Sequence, residues 1–209
     1  MRSFPSHGLY AITDGPRPDL LDVVERVLAG GARLLQYRDD TNDQPRRRAE
    51  ARALQQSCAA HGVPLLIDAD IELAHAVGAA GVHLADHGGM AAARARLGAE
   101  AIVGVACGGS LARARAAVAA GASYVSFGVF FPSPTKPLAA PVPMDLLRQS
   151  ATLGVPRVAI GGITPENGGV LVDAGADYLA AISAVFGSAD PAATTRRIAH
   201  LFPSERVLP

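Results

Sequence analysis

The chain has 209 residues, about half of them apolar, and its 19 basic and 19 acidic side chains cancel to a formal net charge of zero. This predicts one buried core in a single domain over residues 1–209, with the core from about 8 to 202, and it argues against a nucleic-acid partner. The chain opens on no apolar signal-peptide region, contains no run of 18 apolar residues, and places Cys58 and Cys107 in neither CxxC nor disulfide spacing, so the expectation is a cytoplasmic protein without a membrane span.

Short β-branched runs alternate with longer Ala/Leu/Arg segments along the whole chain. In order, the runs are Leu9–Thr13, Arg33–Arg38, Pro64–Asp68, Gly81–Ala85, Ala101–Ala106, Tyr124–Phe130, Arg157–Ile163 and Tyr178–Ala184. A glycine punctuation precedes every second run: Ala29-Gly30-Gly31-Ala32, Val77-Gly78-Ala79-Ala80-Gly81, Ala120-Gly121-Ala122 and Ala174-Gly175-Ala176. Each reads as a helix C-terminus turning tightly into a strand. Eight βα units so punctuated predict an α/β fold, a single (β/α)₈ TIM barrel with parallel strands, whose active face lies at the strand C-termini. An open doubly wound sheet also fits the alternation but not the regular punctuation.

Taken in chain order, the strand ends carry Gln36 and Arg38, Asp68 and Asp70, Asp86 and His87, Cys107, the loop from Gly128 to Lys136, Gly161-Gly162, and Ile182-Ser183. Gln36 and Arg38 lie two apart on a strand and share a face. An inward arginine needs an anion, either a substrate phosphate or a neighbouring Asp68 or Asp70. The run Arg46-Arg47-Arg48 reads as a solvated helix face. Lys136 is the one lysine of the chain, and it closes Pro132-Ser133-Pro134-Thr135-Lys136, a Pro-stiffened loop with two hydroxyls. Such a point charge on a flexible stem suits a phosphate or leaving group. A Schiff-base role for Lys136 is disfavoured, because it follows a loop and does not stand in the strand.

In the seventh unit, Gly161-Gly162 lets backbone N–H groups approach an anion, and Thr164 with Pro165 predicts a helix start. A short helix from Ser183 would aim further N–H groups at the same point, the usual phosphate site of this architecture. Cys107 reads as a small buried residue. His83, between Val82 and Leu84, reads as a hydrogen-bonded core histidine, with a transition-metal set of Asp68, Asp70, His83, Asp86 and His87 as the weaker alternative.

Six segments together resemble the thiamine-phosphate synthase family, which includes the TenI-type tautomerases. They are Leu9-Tyr10-Ala11-Ile12-Thr13-Asp14, Leu35-Gln36-Tyr37-Arg38, Gly81-Val82-His83-Leu84, Pro132-Ser133-Pro134-Thr135-Lys136, Ile160-Gly161-Gly162-Ile163 and Ile182-Ser183-Ala184. The resemblance implies a transferase of thiamine biosynthesis that couples hydroxymethylpyrimidine diphosphate to thiazole phosphate, giving thiamine phosphate and diphosphate, with Mg²⁺ as cofactor if that activity is retained. It implies that Gly161, Gly162, Ile182 and Ser183 bind the thiazole phosphate. It further implies that Ser133, Thr135 and Lys136 meet the diphosphate and thiazole, and that Gln36 and Arg38 meet the pyrimidine diphosphate. The partners expected are phosphorylated small molecules, and a homodimer is left open.

The chain departs from the family pattern at five places. Asp40 replaces a lysine, Ala69 and Gly88 replace two aspartates that bind Mg²⁺, Ala106 replaces a serine, and Gly108 stands where the tautomerases have a histidine. All five fall on the diphosphate and metal half. If the synthase chemistry persists, Asp70 and Asp86, with Asp40, are the oxygen ligands at the right barrel end. The alternative is a TenI-like, degenerate or rebuilt barrel that binds a phosphorylated ligand without the diphosphate and metal chemistry.

Overall fold

The computed structural model describes residues 7–133 and 138–203. The order is β1 (Gly8–Ile12), α1 (Leu20–Ala29), β2 (Leu34–Tyr37), α2 (Gln44–Ala60), β3 (Leu65–Asp68), α3 (Ile71–Val77), β4 (Gly81–Leu84), α4 (Met90–Leu97), β5 (Ile102–Gly108), α5 (Leu111–Ala119), β6 (Tyr124–Gly128), α6 (Asp145–Gln149), β7 (Arg157–Ile160), α7 (Gly169–Asp173), β8 (Tyr178–Ala181), α8 (Ser183–Phe186) and α9 (Pro191–Ala199). The eight strands pair in sequence order and β8 closes on β1, every pair parallel. The predicted TIM barrel is therefore the observed fold.

Strands covered on both faces must be apolar on both, and β1, β2 and β8 are buried at every position. Two cores result. The outer one, between sheet and helices, takes Leu35, Tyr37, Val103, Phe127 and Leu179 with their helical partners. The inner one fills the barrel with Tyr10, Leu34, Leu66, Tyr124, Val158 and Tyr178. The repeated punctuation does what the sequence predicts, since Gly31, Gly78, Gly121 and Gly175 all take positive φ (98, 66, 96 and 103°) at the turns into strands.

Several elements stop short of the sequence expectation. β2 ends at Tyr37, β6 at Gly128, β7 at Ile160 and β8 at Ala181. At β2 the ladder gives way to a side chain: the Thr13 hydroxyl accepts from the Arg38 amide (2.8 Å) and donates to the Arg38 carbonyl (2.9 Å). Helix α7 begins at Gly169, not at Pro165, because Asn167 intervenes. Its side chain accepts from the Thr164 amide (2.8 Å) and donates to the Gly162 carbonyl (2.9 Å), closing a separate turn ahead of the helix. Among the described residues no helix is long and apolar enough to cross a membrane.

Arg46-Arg47-Arg48 is a solvated face only at Arg48. Arg46 pairs with the buried Asp39 (2.7 Å) and with Glu50 (3.0 Å), and Arg47 pairs with Asp70 (3.0 Å). Burial alone would raise the Asp39 carboxyl, but Arg46 and the Thr41 amide and hydroxyl outweigh it and hold it down at about 2. A carboxyl depressed in the folded state contributes stability that is complete above its ordinary pKa near 4 and is lost as pH falls towards about 2. Thermal melts between pH 5 and 2 should therefore show a loss in that window that is shallower in Asp39→Asn. An identical acid leg in the two proteins would discard this assignment.

Candidate functional site

The side of the mouth where the sequence predicts a phosphate is built by adjacent strands. Pairing of Ile160 with Ala180 sets the two strand ends next to each other, so that Gly161-Gly162 and Ile182-Ser183 leave the sheet side by side. Gly161 and Gly162 both take positive φ (105 and 63°). A Cβ on Gly162 would lie 2.3 Å from the Pro132 carbonyl oxygen, so only glycine lets the β6 loop come down on this turn. That loop is tied there by Phe130 N–H to the Ile160 carbonyl and by Phe131 N–H to the Gly161 carbonyl, both 3.1 Å. It thereby delivers the half-buried Ser133 to the same end, while Thr135 and Lys136 lie outside the described residues. The short helix expected at Ser183 is present as α8, and its first N–H groups have no partner within a helix turn of their own.

The other side of the mouth continues inwards as a chain of hydrogen bonds. Gln36, only 2% exposed, accepts from the Tyr10 hydroxyl (2.8 Å) and donates through Nε2 to Asp68 Oδ1 (2.6 Å). The Tyr10 hydroxyl lies 2.9 Å from that of Tyr124, which lies 2.8 Å from His83 Nδ1. Each phenol has one proton to give. Tyr10 spends its proton on Gln36, so Tyr124 donates to Tyr10, and His83 Nδ1–H donates to Tyr124. Burial pushes both phenols well above their ordinary range, so they remain neutral donors. The result is a one-way series from His83 to the Asp68 carboxylate that locks the Gln36 amide in one orientation. His83 is thus the hydrogen-bonded histidine the sequence suggested, stacked on Tyr124 at 5.6 Å.

Arg38 leaves the barrel beside this chain. Its Nη2 donates to Asp40 (2.6 Å) and its Nε lies 3.9 Å from Asp68 Oδ2. An open groove of about 600 Å³ lies between the loops after β2 and β3, lined by Asp40, Arg47, Asp68, Ala69, Asp70 and Glu72 among others.

Asp70 caps α3 by accepting from the Leu73 amide (2.9 Å), and its other oxygen takes Arg47. Asp86 accepts from the Gly88 amide (2.7 Å). Ala69 and Gly88 bring no ligand atom to the mouth. Among the described residues no three His, Cys, Asp or Glu side chains converge to hold a metal ion, so Asp68, Asp70, His83, Asp86 and His87 do not form a transition-metal site. The residues present do not fit the Mg²⁺ site that the resemblance implies: such an ion takes one or two carboxylates beside water and phosphate oxygens, but Ala69 and Gly88 carry none and both oxygens of Asp70 are engaged by the Leu73 amide and Arg47.

Cys107 ends up fully buried, as expected from the sequence. Burial raises its thiol to about 11, Arg113 pulling slightly the other way, and raises Cys58 to about 12. Neither cysteine should react with an aromatic disulfide reagent at pH 8 until the protein unfolds. Rapid labelling of Cys107 that a phosphate ligand blocks would instead give it a place in the site.

Sequence reasoning missed Tyr10 and Tyr124 as members of the polar chain, and it missed Asp40 as the partner of Arg38. The first pair is 114 positions apart and reads as core aromatics. The second was not legible, because Arg38 and Asp40 both lie beyond the end of β2, where strand alternation no longer sets the direction of a side chain.

The model of the family described as thiamine monophosphate synthase matches residues 9–185. A thiamine-phosphate synthase of Chromobacterium violaceum is 50% identical over 198 residues, covering 93% of this chain and 96% of its own. One from Azoarcus sp. (strain BH72) is 53% identical over 188 residues, 88% of this chain and 91% of its own. Among solved structures, a thiamine phosphate pyrophosphorylase from Pyrococcus furiosus superposes with a TM-score of 0.83 at 28% identity, covering 94% of this chain and 95% of that one. A 3-hexulose-6-phosphate synthase, at 22% identity and a TM-score of 0.69, shares the fold alone. With the matched model spanning most of the barrel, the chain belongs to the thiamine monophosphate synthase family.

Proposed function

We propose that the protein is a thiamine-phosphate synthase, joining hydroxymethylpyrimidine diphosphate to thiazole phosphate in the cytoplasm. The observation that carries this reading is the pairing of Ile160 with Ala180, which sets the turns at Gly161-Gly162 and Ile182-Ser183 beside each other at the barrel end that also carries Gln36 and Arg38. In the reaction the bond between the pyrimidine methylene carbon and the diphosphate oxygen breaks, its electron pair leaving with the diphosphate. The thiazole nitrogen lone pair then forms the new C–N bond. Gly161, Gly162, Ile182 and Ser183 hold the thiazole phosphate through backbone N–H groups, fixing the nucleophile.

Gln36, its amide locked between Tyr10 and Asp68, keeps one N–H and one lone pair for the pyrimidine edge. Arg38, Ser133, Thr135 and Lys136 stabilise the charge that develops on the leaving group, where electrostatic help matters most in such a dissociative step. Asp70 and Asp86, the carboxylates expected to hold Mg²⁺, are engaged by the Leu73 amide with Arg47 and by the Gly88 amide respectively, so no step of the reaction is assigned to a metal on them.

A second reading is favoured by one observation, the 2.6 Å contact of Asp40 on Arg38. In that reading the barrel keeps its phosphate turn and binds a phosphorylated ligand without diphosphate chemistry. The test is formation of thiamine phosphate from the two substrates, with and without Mg²⁺. Turnover supports the synthase, whereas binding of thiazole phosphate without any product supports the second reading.

A further inference from the structure

Resting on the synthase reading, we propose that the β3 and β4 side of the mouth is not a divalent-cation site in this chain, and that Asp40, as the displaceable counter-ion of Arg38, sets how strongly that side takes an anionic leaving group. The first support is what stands at the ends of the two strands. Ala69 holds a left-handed backbone (φ 55°), a conformation that aspartate and asparagine enter more readily than alanine, and its amide donates to the His83 carbonyl at 2.9 Å. The turn is thus kept while its side chain has shrunk to a methyl group. Gly88 likewise contributes only an amide, which Asp86 takes.

The second support is that the carboxylates around the groove are already committed. Asp70 is shared between the Leu73 amide and Arg47, Asp68 accepts from Gln36, Glu72 pairs with Arg96 (3.0 Å), and Asp39 pairs with Arg46. A cation held by one or two carboxylates beside water and phosphate oxygens would first have to release each of them from an arginine or an amide. Arginines have taken over the neutralisation that a metal would supply.

The third support concerns Arg38. Its partner Asp40 is 71% exposed, and an exposed ion pair of this kind is weak and screened by salt. A diphosphate brings more charge than one carboxylate and matches the two-pronged guanidinium, so it displaces Asp40 from Arg38. Asp40 therefore sets how strongly this side of the mouth takes an anion.

Two measurements on the full chain test this without relying on turnover. In equilibrium dialysis read by the electron paramagnetic resonance of Mn²⁺, the wild-type protein should retain far less than one ion per chain at about 100 μM free Mn²⁺, with or without inorganic pyrophosphate. The double variant A69D/G88D should retain close to one. In chelator-treated buffer, Asp40→Asn should bind inorganic pyrophosphate about tenfold more tightly than wild type, an advantage that shrinks at high salt.

Stoichiometric Mn²⁺ on the wild-type chain overturns the first half of the proposal, and so does a folded A69D/G88D that gains none. Unchanged or weaker pyrophosphate binding by Asp40→Asn overturns the second. Absence of thiamine phosphate formation alongside the expected binding results would remove the synthase reading and leave the metal assignment standing.

Discussion

Replacing Gly162 by alanine is expected to weaken binding of thiazole phosphate at least 100-fold while leaving a folded barrel. The backbone there has φ 63°, which costs an alanine about 1–2 kcal/mol. The larger effect is steric. The new Cβ would sit 2.3 Å from the Pro132 carbonyl oxygen and 2.8 Å from Phe131, and neither is the far end of a flexible side chain. Either the β6 loop lifts or the turn after β7 rotates, and both movements turn the amides away from the phosphate. A misplacement of about 1 Å in such a constellation costs about two decades. Isothermal titration with thiazole phosphate reads the loss. Gly169→Ala, whose Cβ would find its nearest neighbour at 3.9 Å, serves as the control that should bind normally. Affinity within threefold of wild type in Gly162→Ala would mean that this turn is not the phosphate site.

The largest stability effect is expected inside the barrel, at Gly104. A Cβ there would lie 1.9 Å from Cζ of the Tyr124 ring and 2.3 Å from its hydroxyl, and Tyr124 is fully buried. The ring cannot move alone, because it packs edge-on against Tyr10 at 5.9 Å and stacks on His83. Displacing it also breaks the hydrogen bonds to both. Overpacking costs about 1–3 kcal/mol, and each buried polar group left unpaired adds about 1–3 kcal/mol. Gly104→Ala should therefore lose about 4 kcal/mol, or roughly 10 °C in Tm for a chain of this size. Urea denaturation followed by circular dichroism reads it, and the added change Tyr124→Leu should recover part of the loss if the clash is its cause. A loss under about 1 kcal/mol would mean that the interior repacks freely.

These two glycines mark different depths of legibility. Gly161-Gly162 could be picked out as a turn open to close approach because its meaning is local, two residues without Cβ at a strand end ahead of a polar turn, and both take positive φ. Gly104 could not, since its role is to leave room for a side chain 20 positions on that is brought beside it only by the β5–β6 pairing. Arg38 lies between the two cases. Its need for an anion was legible from its place on the strand, but which carboxylate supplies it depended on loop geometry. The start of α7 was misplaced for a similar reason, because Thr164 and Pro165 carry a helix signal that the Asn167 side chain overrides.

By itself, the sequence determined the alternation of strands and helices, the turns at Gly31, Gly78, Gly121 and Gly175, and the set of side chains delivered to the strand ends. All of these follow from backbone conformation and apolar periodicity, which act between residues close in the chain. Only the tertiary structure decided which polar groups satisfy each other. It joined His83, Tyr124, Tyr10, Gln36 and Asp68 into one directed chain, and it spent Asp70 on the start of α3 and Asp86 on the Gly88 amide. It also set Asp40 on Arg38. Hydrogen bonds and ion pairs form between groups within about 3 Å, and in a closed barrel that proximity is fixed by strand register rather than by position in the chain.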